Sequence, residues 1–102
     1  MSITKKYLKS KPVAKVTFKL PKEAAPEAKK VTIVGEFNEW SKSKNAMKKL
    51  KNGSFSATLD LETGKEYSYK YLIDGKTWEN DWEADKYVPA GIGAEENSVV
   101  VV

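Results

Sequence analysis

Acid–base and nucleophilic chemistry can rest on only a few side chains here, because the sequence contains no histidine and no cysteine. That composition removes imidazole bases, thiol nucleophiles, disulfides and the usual zinc ligands together. A serine activated by a lysine, or a pair of carboxylates, would be the remaining route to catalysis. Carboxylates do cluster after Glu79, at Asp81, Glu83 and Asp85.

Alternating carboxylates of this kind can flank a sugar in a glycosidase or bind a hard cation such as calcium. The glycine and backbone-carbonyl pattern of a calcium loop does not accompany them, and Gly91 and Gly93 stand isolated rather than in a phosphate-binding loop. We therefore interpret Asp81, Glu83 and Asp85 as an exposed acidic loop that faces a lysine-rich surface. We predict no catalytic residue, no metal site and no cofactor.

The tryptophans offer chemistry of a different kind. Trp40, Trp78 and Trp82 lie in or beside predicted loops, outside the alternating core positions. An indole ring presents a large apolar face with little conformational entropy to lose, and this face suits the apolar C–H face of a sugar. Ammonium and amide groups suit sugar hydroxyls, and Lys70 and Asn97 supply such groups on predicted strands. Each tryptophan could equally belong to a core, as in many immunoglobulin-like domains.

The length of 102 residues fits a single domain. The formal net charge is +4, and every basic residue is a lysine. Arginine supplies the planar fork that reads base edges, so a basic chain without it is a poor candidate for sequence-specific nucleic-acid binding. No apolar run is long enough to span a bilayer, and the lysine-rich start lacks the apolar region of a secretory signal. We expect a cytoplasmic protein with no nucleic-acid and no membrane partner.

Apolar residues that alternate with a period of two predict antiparallel strands with one buried face. This pattern occurs over Val13–Leu20, Ser54–Leu61 and Glu66–Asp74. The predicted core positions of the third strand are Tyr67, Tyr69, Tyr71 and Ile73. Lys70 lies between them in sequence and is therefore expected on the opposite face, where it could meet a ligand.

Two hairpin signals, Asn52-Gly53 and Asp74-Gly75, separate the predicted strands, because both central positions of a type I′ turn need positive φ. Counting about seven short strands and no convincing helix, we predict an all-β protein with an immunoglobulin-like β-sandwich. Residues 1–12 are rich in lysine, so we interpret them as a flexible arm. The sandwich domain is then expected to span residues 13–102.

Three motifs, in order along the chain, resemble the signature of carbohydrate-binding module family 48. They are GEFNEWS at Gly35–Ser41, YKYLIDGKTW at Tyr69–Trp78 and ENSVVVV at Glu96–Val102. That family includes the glycogen-binding domain of the AMP-activated protein kinase β subunit and the early-set domains of isoamylases and glycogen branching enzymes. The resemblance covers nearly the whole chain from Val13 onward. It implies an early-set β-sandwich that binds α-1,4-linked glucans such as glycogen, starch or maltooligosaccharides.

The resemblance also implies a set of binding residues. In the kinase domains two tryptophans stack on glucose units, while a lysine and an asparagine bind hydroxyls. By motif these positions are Trp40, Trp78, Lys70 and Asn97, with Trp82 as a weaker third stacking surface.

The sequence departs from the family pattern around these positions. Trp78 is shifted by one extra residue after the Asp-Gly turn, Trp82 follows Asp81 where the family often has proline, and Ala94 and Glu95 stand where the kinase domains use a polar residue.

These observations favour a non-catalytic module that binds α-glucans, with a separate glucan-active enzyme as a further possible partner. The alternative is an early-set packing or docking module, homologous to the N-terminal domain of a glycoside hydrolase family 13 or branching enzyme, that acts through a protein partner. A third class, nucleic-acid binding through lysines and aromatics, would be recognised by a steep dependence on salt. A barrel that carries out glucan chemistry needs ~250 residues, more than this chain has.

Overall fold

The computed structural model describes residues 3–89 and 96–102, and in this part of the chain nine β-strands are connected by turns and two short 3-10 segments. In chain order the strands are β1 (Ile3–Tyr7), β2 (Val13–Leu20), β3 (Val31–Gly35), β4 (Lys48–Lys49), β5 (Phe55–Glu62), β6 (Glu66–Ile73), β7 (Thr77–Glu79), β8 (Lys86–Pro89) and β9 (Glu96–Val101). The 3-10 segments are Lys22–Ala24 and Glu36–Asn38. Gly91, Gly93, Ala94 and Glu95, which the sequence analysis discusses, lie outside the described residues.

The strands form two antiparallel sheets. The first has the order β1-β2-β5-β4, and the second has the order β3-β6-β9-β8, with β7 paired to β6. The sheets face each other across an apolar core, in which the Phe18 ring of the first sheet meets the Tyr69 ring of the second edge to face, with centroids 5.0 Å apart. This arrangement confirms the predicted β-sandwich.

The core follows the alternation predicted from the sequence. On β2, the side chains of Ala14, Val16, Phe18 and Leu20 are fully buried, and on β6, Tyr69 and Tyr71 are fully buried. Tyr67 and Ile73 are partly buried against the same cluster, as are Ala57 and Leu59 of β5. Because the buried side chains point inward from both sheets, the intervening residues of each strand form the two outer faces of the sandwich.

The prediction of a flexible arm over residues 1–12 is wrong for residues 3–7. These residues form β1, which pairs with β2 in register from Ile3 opposite Phe18 to Tyr7 opposite Ala14. Ile3 is buried, and the Lys5 ammonium lies 2.6 Å from the Asp85 carboxylate. An unpaired edge of β2 can accept another strand through its backbone groups, and lysine is tolerated on an edge strand, so a lysine-rich sequence does not prevent strand formation.

Backbone geometry at the two hairpin turns differs. At Asp74-Gly75 both φ angles are positive, 51° and 68°, as the predicted type I′ turn requires. At Asn52-Gly53 only the glycine has positive φ, 90°, and its amide donates to the Leu50 carbonyl. The Asn52-Gly53 turn is therefore not of the predicted type I′.

Within residues 3–89 and 96–102, no helix is both long and apolar enough to cross a membrane.

Candidate functional site

One outer face of the sandwich carries apolar side chains that are themselves buried. It belongs to the second sheet, where Thr32 of β3 pairs with Leu72 of β6, and Leu72 pairs with Trp78 of β7. Val34, Leu72 and Val99 are buried although they lie outside the main core cluster. We call this surface the tryptophan face, and it consists of the outward side chains of β3, β6, β7 and β9.

Lys70 and Asn97 both lie on the tryptophan face. On β6, Lys70 stands between the core-facing Tyr69 and Tyr71, and it pairs with Val34 of β3. On β9, Asn97 precedes Ser98, which pairs with Tyr69, so the β6–β9 register brings Asn97 next to Lys70. No ion pair among the described residues engages the Lys70 ammonium. An ammonium and an amide are therefore adjacent on this surface.

Trp40 reaches this side of the molecule through the tight loop that follows β3. The side chain of Asn38 is buried in this loop and makes four hydrogen bonds. Its Oδ1 accepts the backbone N–H groups of Gly35 (3.1 Å) and Ser41 (3.2 Å), and its Nδ2 donates to the Ile33 carbonyl (3.0 Å) and to Asn45 Oδ1 (2.8 Å).

These bonds hold the two residues after Asn38 in the left-handed region. Glu39 has φ 57° and Trp40 has φ 58°, a conformation that is uncommon for residues other than glycine. The Trp40 amide also donates to the Gly35 carbonyl at 2.8 Å. The indole of Trp40 is 40% exposed, so the loop presents a large ring to solvent instead of burying it.

Trp78 is 43% exposed and lies on the short strand β7. The Lys42 ammonium lies 5.9 Å from the centroid of its ring, within the range of a cation–π contact. Because Lys42 follows Trp40 by two residues, this contact brings the Trp40 loop and Trp78 to the same part of the surface. Lys70, Asn97 and Trp78 thus share one outer face, and the Trp40 loop reaches its edge through Lys42. These are the elements on which the four predicted residues stand.

Trp82 does not join them. It is 54% exposed, and its indole N–H donates to the Glu79 carboxylate at 3.3 Å. Glu79 pairs with the core-facing Tyr71, so by strand alternation its side chain points away from the tryptophan face. Trp82 is therefore held on the other side of β7 from Trp78.

Asp81 corrects the interpretation of the acidic cluster as an exposed loop. Its side chain is 1% exposed, and Oδ2 accepts the hydroxyls of Tyr69 (2.8 Å) and Tyr71 (3.2 Å). Burial, reinforced by this carboxylate, raises the pKa of both tyrosines well above the usual range.

The carboxylate of Asp85 accepts hydrogen bonds from the Lys5 ammonium of β1 and from the Val101 amide of β9. Within the described residues, no group of three or more acidic, histidine or cysteine side chains is placed to hold a metal ion.

Sequence reasoning missed two kinds of residue at this site. Asn38 holds the Trp40 loop through four hydrogen bonds, one of them to Asn45 Oδ1, and the sequence pattern does not show these contacts. Strand alternation puts Leu72 and Val99 on the outer face, yet both are buried there and form the apolar part of that face. An outward position with a large apolar residue was the signal that could have found them.

Comparison with known proteins shows which family the chain resembles. The family model for carbohydrate-binding module 48, the isoamylase N-terminal domain, matches residues 10–88. The chain is 36% identical over 76 residues to Protein PTST homolog 2, chloroplastic, of Arabidopsis thaliana, an alignment that covers 74% of this chain and 13% of that protein.

Two further relatives are similar over shorter alignments. The 1,4-alpha-glucan branching enzyme GlgB of Bacillus cytotoxicus is 32% identical over 63 residues, covering 62% of this chain and 10% of the enzyme. The 5'-AMP-activated protein kinase subunit beta-1 of Sus scrofa is 36% identical over 73 residues, covering 72% of this chain and 55% of that subunit. The chain thus spans about half or less of each relative. With the family model matching most of its length, the chain belongs to carbohydrate-binding module family 48 and has that family's immunoglobulin-like β-sandwich fold.

Proposed function

We propose that this chain is a non-catalytic module that binds α-1,4-linked glucans on the tryptophan face. Trp40 and Trp78 stack on glucose rings, and Lys70 and Asn97 bind sugar hydroxyls. The observation that supports the proposal is that Lys70, Asn97 and Trp78 share one outer face with the Trp40 loop at its edge, while Trp40 and Trp78 are each about two-fifths exposed. The ligand class is also supported by the names of the relatives, since one of them is a 1,4-alpha-glucan branching enzyme.

The physical chemistry of the face fits a glucan chain. Each indole offers an apolar plane to the C–H face of a sugar, while the neighbouring ammonium and amide donate hydrogen bonds to hydroxyls. The face is open rather than enclosed, and each glucose is well hydrated in solution. We therefore expect modest affinity, because few contacts must offset the cost of desolvating and ordering the chain.

A docking module is the second candidate, and the similarity to the branching enzyme favours it specifically. In that function the sandwich packs against a catalytic domain or a separate glucan-active enzyme and binds little sugar. The same tryptophan face, with its buried apolar base of Val34, Leu72 and Val99, would then be covered by protein. A cytoplasmic location is our proposal in either case, and it rests on the cysteine-free composition alone.

Titration with maltoheptaose, followed by the amide and indole N–H signals in NMR, tests the proposal. We expect saturable shifts at Trp40 and Trp78, and a loss of affinity of about tenfold or more in Trp78→Ala, since stacking contributes ~1.4 kcal/mol or more. Trp82→Ala is the matched control, because it removes an exposed indole from the other side of β7. We expect this variant to change the affinity much less.

The outcomes separate the candidate functions. If millimolar sugar shifts no signal while the spectrum shows an intact fold, the glucan-binding proposal is wrong and the docking function becomes the leading one. Equal losses in Trp78→Ala and Trp82→Ala would show that Trp82 contributes a third stacking surface. Binding to a nucleic acid that weakens steeply with salt would support the third class, because sugar stacking depends little on ionic strength.

A further inference from the structure

A groove of about 370 Å³ lies at one end of the tryptophan face. Its base is formed by Thr32 and Leu72, and its rim carries Lys29, Lys30 and Lys42 together with Asp74. Leu72 pairs with Trp78 across the sheet, and the Lys42 ammonium lies 5.9 Å from the centroid of the Trp78 ring. The groove is therefore continuous with the surface on which Trp78 would stack a sugar.

Positive charge is concentrated in this groove. Three lysines line it, and none of Lys29, Lys30 and Lys42 takes part in an ion pair among the described residues. The one carboxylate, Asp74, is already engaged, because its Oδ1 accepts the backbone N–H groups of Lys29 and Lys30 at 2.9 Å each. These two bonds lower the pKa of Asp74, so it stays ionised, and one negative charge opposes three positive ones.

Thr32 adds a hydroxyl to the lining of the groove. Thr32 is 3% exposed and lies on the outward side of β3, opposite Leu72. Its hydroxyl makes no hydrogen bond to another described residue, although buried polar groups nearly always have a partner. No fully buried side-chain polar atom in the described residues lacks a partner, so this hydroxyl is not fully buried, and Thr32 is one of the residues that line the groove. It is placed to donate to an acceptor that enters there.

A neutral glucan does not require this arrangement. Sugar hydroxyls need single hydrogen bonds, whereas several ammonium groups around one concavity raise each other's free energy unless an anion lies between them. Lysine ammonium groups bind phosphate as point charges, and a hydroxyl donor adds a directed hydrogen bond. A group that carries two negative charges and accepts several hydrogen bonds matches the groove best.

We propose that this groove binds a phosphate monoester carried by a glucose next to the one stacked on Trp78, so that the module prefers phosphorylated α-glucans. Lys29, Lys30 and Lys42 neutralise the phosphate, and the Thr32 hydroxyl donates to one of its oxygens. When a sugar occupies the Trp78 ring, Lys42 leaves its cation–π contact and turns to the phosphate. This inference rests on the proposed glucan-binding function and names the substrate class for the same face.

The test compares a chemically phosphorylated maltodextrin with the same material after phosphatase treatment, both titrated at moderate salt. We expect the phosphorylated form to bind about tenfold more tightly, and the preference to shrink as salt is added. The triple variant Lys29→Gln, Lys30→Gln, Lys42→Gln should lose the preference while it keeps its affinity for the treated form. The matched control replaces Lys6, Lys19 and Lys48 by glutamine, which removes the same charge from the first sheet and should leave the preference intact.

Each outcome has a defined meaning. Equal binding of both forms by the folded wild-type chain overturns this inference and leaves the glucan-binding function standing. Failure of both forms to bind overturns the proposed function, and this inference with it. If the control triple loses the preference as fully as the groove triple, general charge rather than the groove is responsible. Inorganic phosphate that competes as strongly as the phosphorylated maltodextrin would identify a general anion site and overturn the assignment to a phosphorylated glucan.

Discussion

Asp81 links the aromatic core to the chain that follows β7. Its carboxylate accepts two tyrosine hydroxyls from β6, while its amide donates to Ser98 Oγ at 2.8 Å and its carbonyl accepts the Tyr87 hydroxyl. A buried carboxylate is tolerated when several donors satisfy it. Asp81 therefore fixes the end of β7, and with it the strand on which Trp78 stands.

The shifted pKa values of Tyr69 and Tyr71 predict a loss of stability in alkaline solution. Folded, both tyrosines keep their protons, because burial and Asp81 raise their pKa above the ordinary 10.0. In the unfolded chain they ionise near pH 10, so the unfolded state then binds fewer protons and the free energy of unfolding falls as pH rises. The expected slope is about 1.4 kcal/mol per pH unit for each tyrosine.

Urea unfolding at several pH values from neutral to strongly alkaline would measure this slope. The variant Tyr69→Phe, Tyr71→Phe removes both groups, and its difference from the wild type cancels the titration of the lysines. We expect the double variant to be less stable at neutral pH, because it leaves Asp81 short of donors, but to lose stability less steeply above pH 10. Identical slopes would show that the two hydroxyls ionise normally in the folded protein.

The loop from Gly35 to Asn45 is the element that places Trp40. Gly35 begins it where the backbone passes close to β6, and a Cβ atom at this position would lie 2.6 Å from the Ser68 carbonyl oxygen and 2.7 Å from Tyr69 Cβ. The side chain of Asn38 then closes the loop with hydrogen bonds to both ends. The conformation of the Trp40 loop thus depends on two residues, Gly35 and Asn38, that are outside the predicted set of binding residues.

Asn38→Ala should weaken both the fold and sugar binding. Four hydrogen bonds are lost at a buried position, and groups left without partners there cost roughly 1–3 kcal/mol each, partly recovered by water entry. We expect a loss of about 3 kcal/mol in the free energy of unfolding and a clear loss of maltoheptaose affinity, since Trp40 is no longer held at positive φ. Urea unfolding and NMR titration measure the two effects.

Asn52→Ala is the control for this variant. Asn52 also accepts hydrogen bonds within a turn, from the amide and hydroxyl of Ser54, but it is exposed and lies in the turn between β4 and β5. A small loss of stability with unchanged sugar affinity is expected. If Asn38→Ala binds maltoheptaose as well as the wild type, then the loop does not need Asn38 to present Trp40.

The sequence was sufficient to predict those features that depend on local pattern. Alternation identified β2, β5 and β6 and the inward tyrosines, and the same parity placed Lys70 on the outer face. The features it missed depend on contacts between distant residues. Asp81 looked like part of a polar loop, because the hydroxyls that donate to it belong to β6. Residues 3–7 looked like an arm, because the edge of β2 with which they pair forms only when the chain folds. The groove lined by Lys29, Lys30 and Lys42 required three separate segments to be brought together.

At the scale of the whole molecule, β1 and its contacts join the two sheets along one edge. Lys5 of the first sheet pairs with Asp85 at 2.6 Å, and the same carboxylate oxygen accepts the Val101 amide of the second sheet at 2.7 Å. The Asp85 amide donates in turn to the Val99 carbonyl at 3.1 Å. Ile3, at the start of β1, is buried in the common core beside Phe18. The first strand therefore contributes to packing as well as to the sheet.

Deletion of residues 1–7 tests this role. We expect the free energy of unfolding to fall by about 3 kcal/mol, of which ~2 kcal/mol comes from the burial of Ile3 and the rest from hydrogen bonds to β2 and the half-buried ion pair. Lys5→Gln keeps the strand and removes only the charge, so its loss should stay within about 1 kcal/mol. Urea unfolding of the three chains measures both differences. An unchanged midpoint in the deletion would mean that β1 adds nothing to stability, and residues 1–12 would then behave as the arm that their composition suggested.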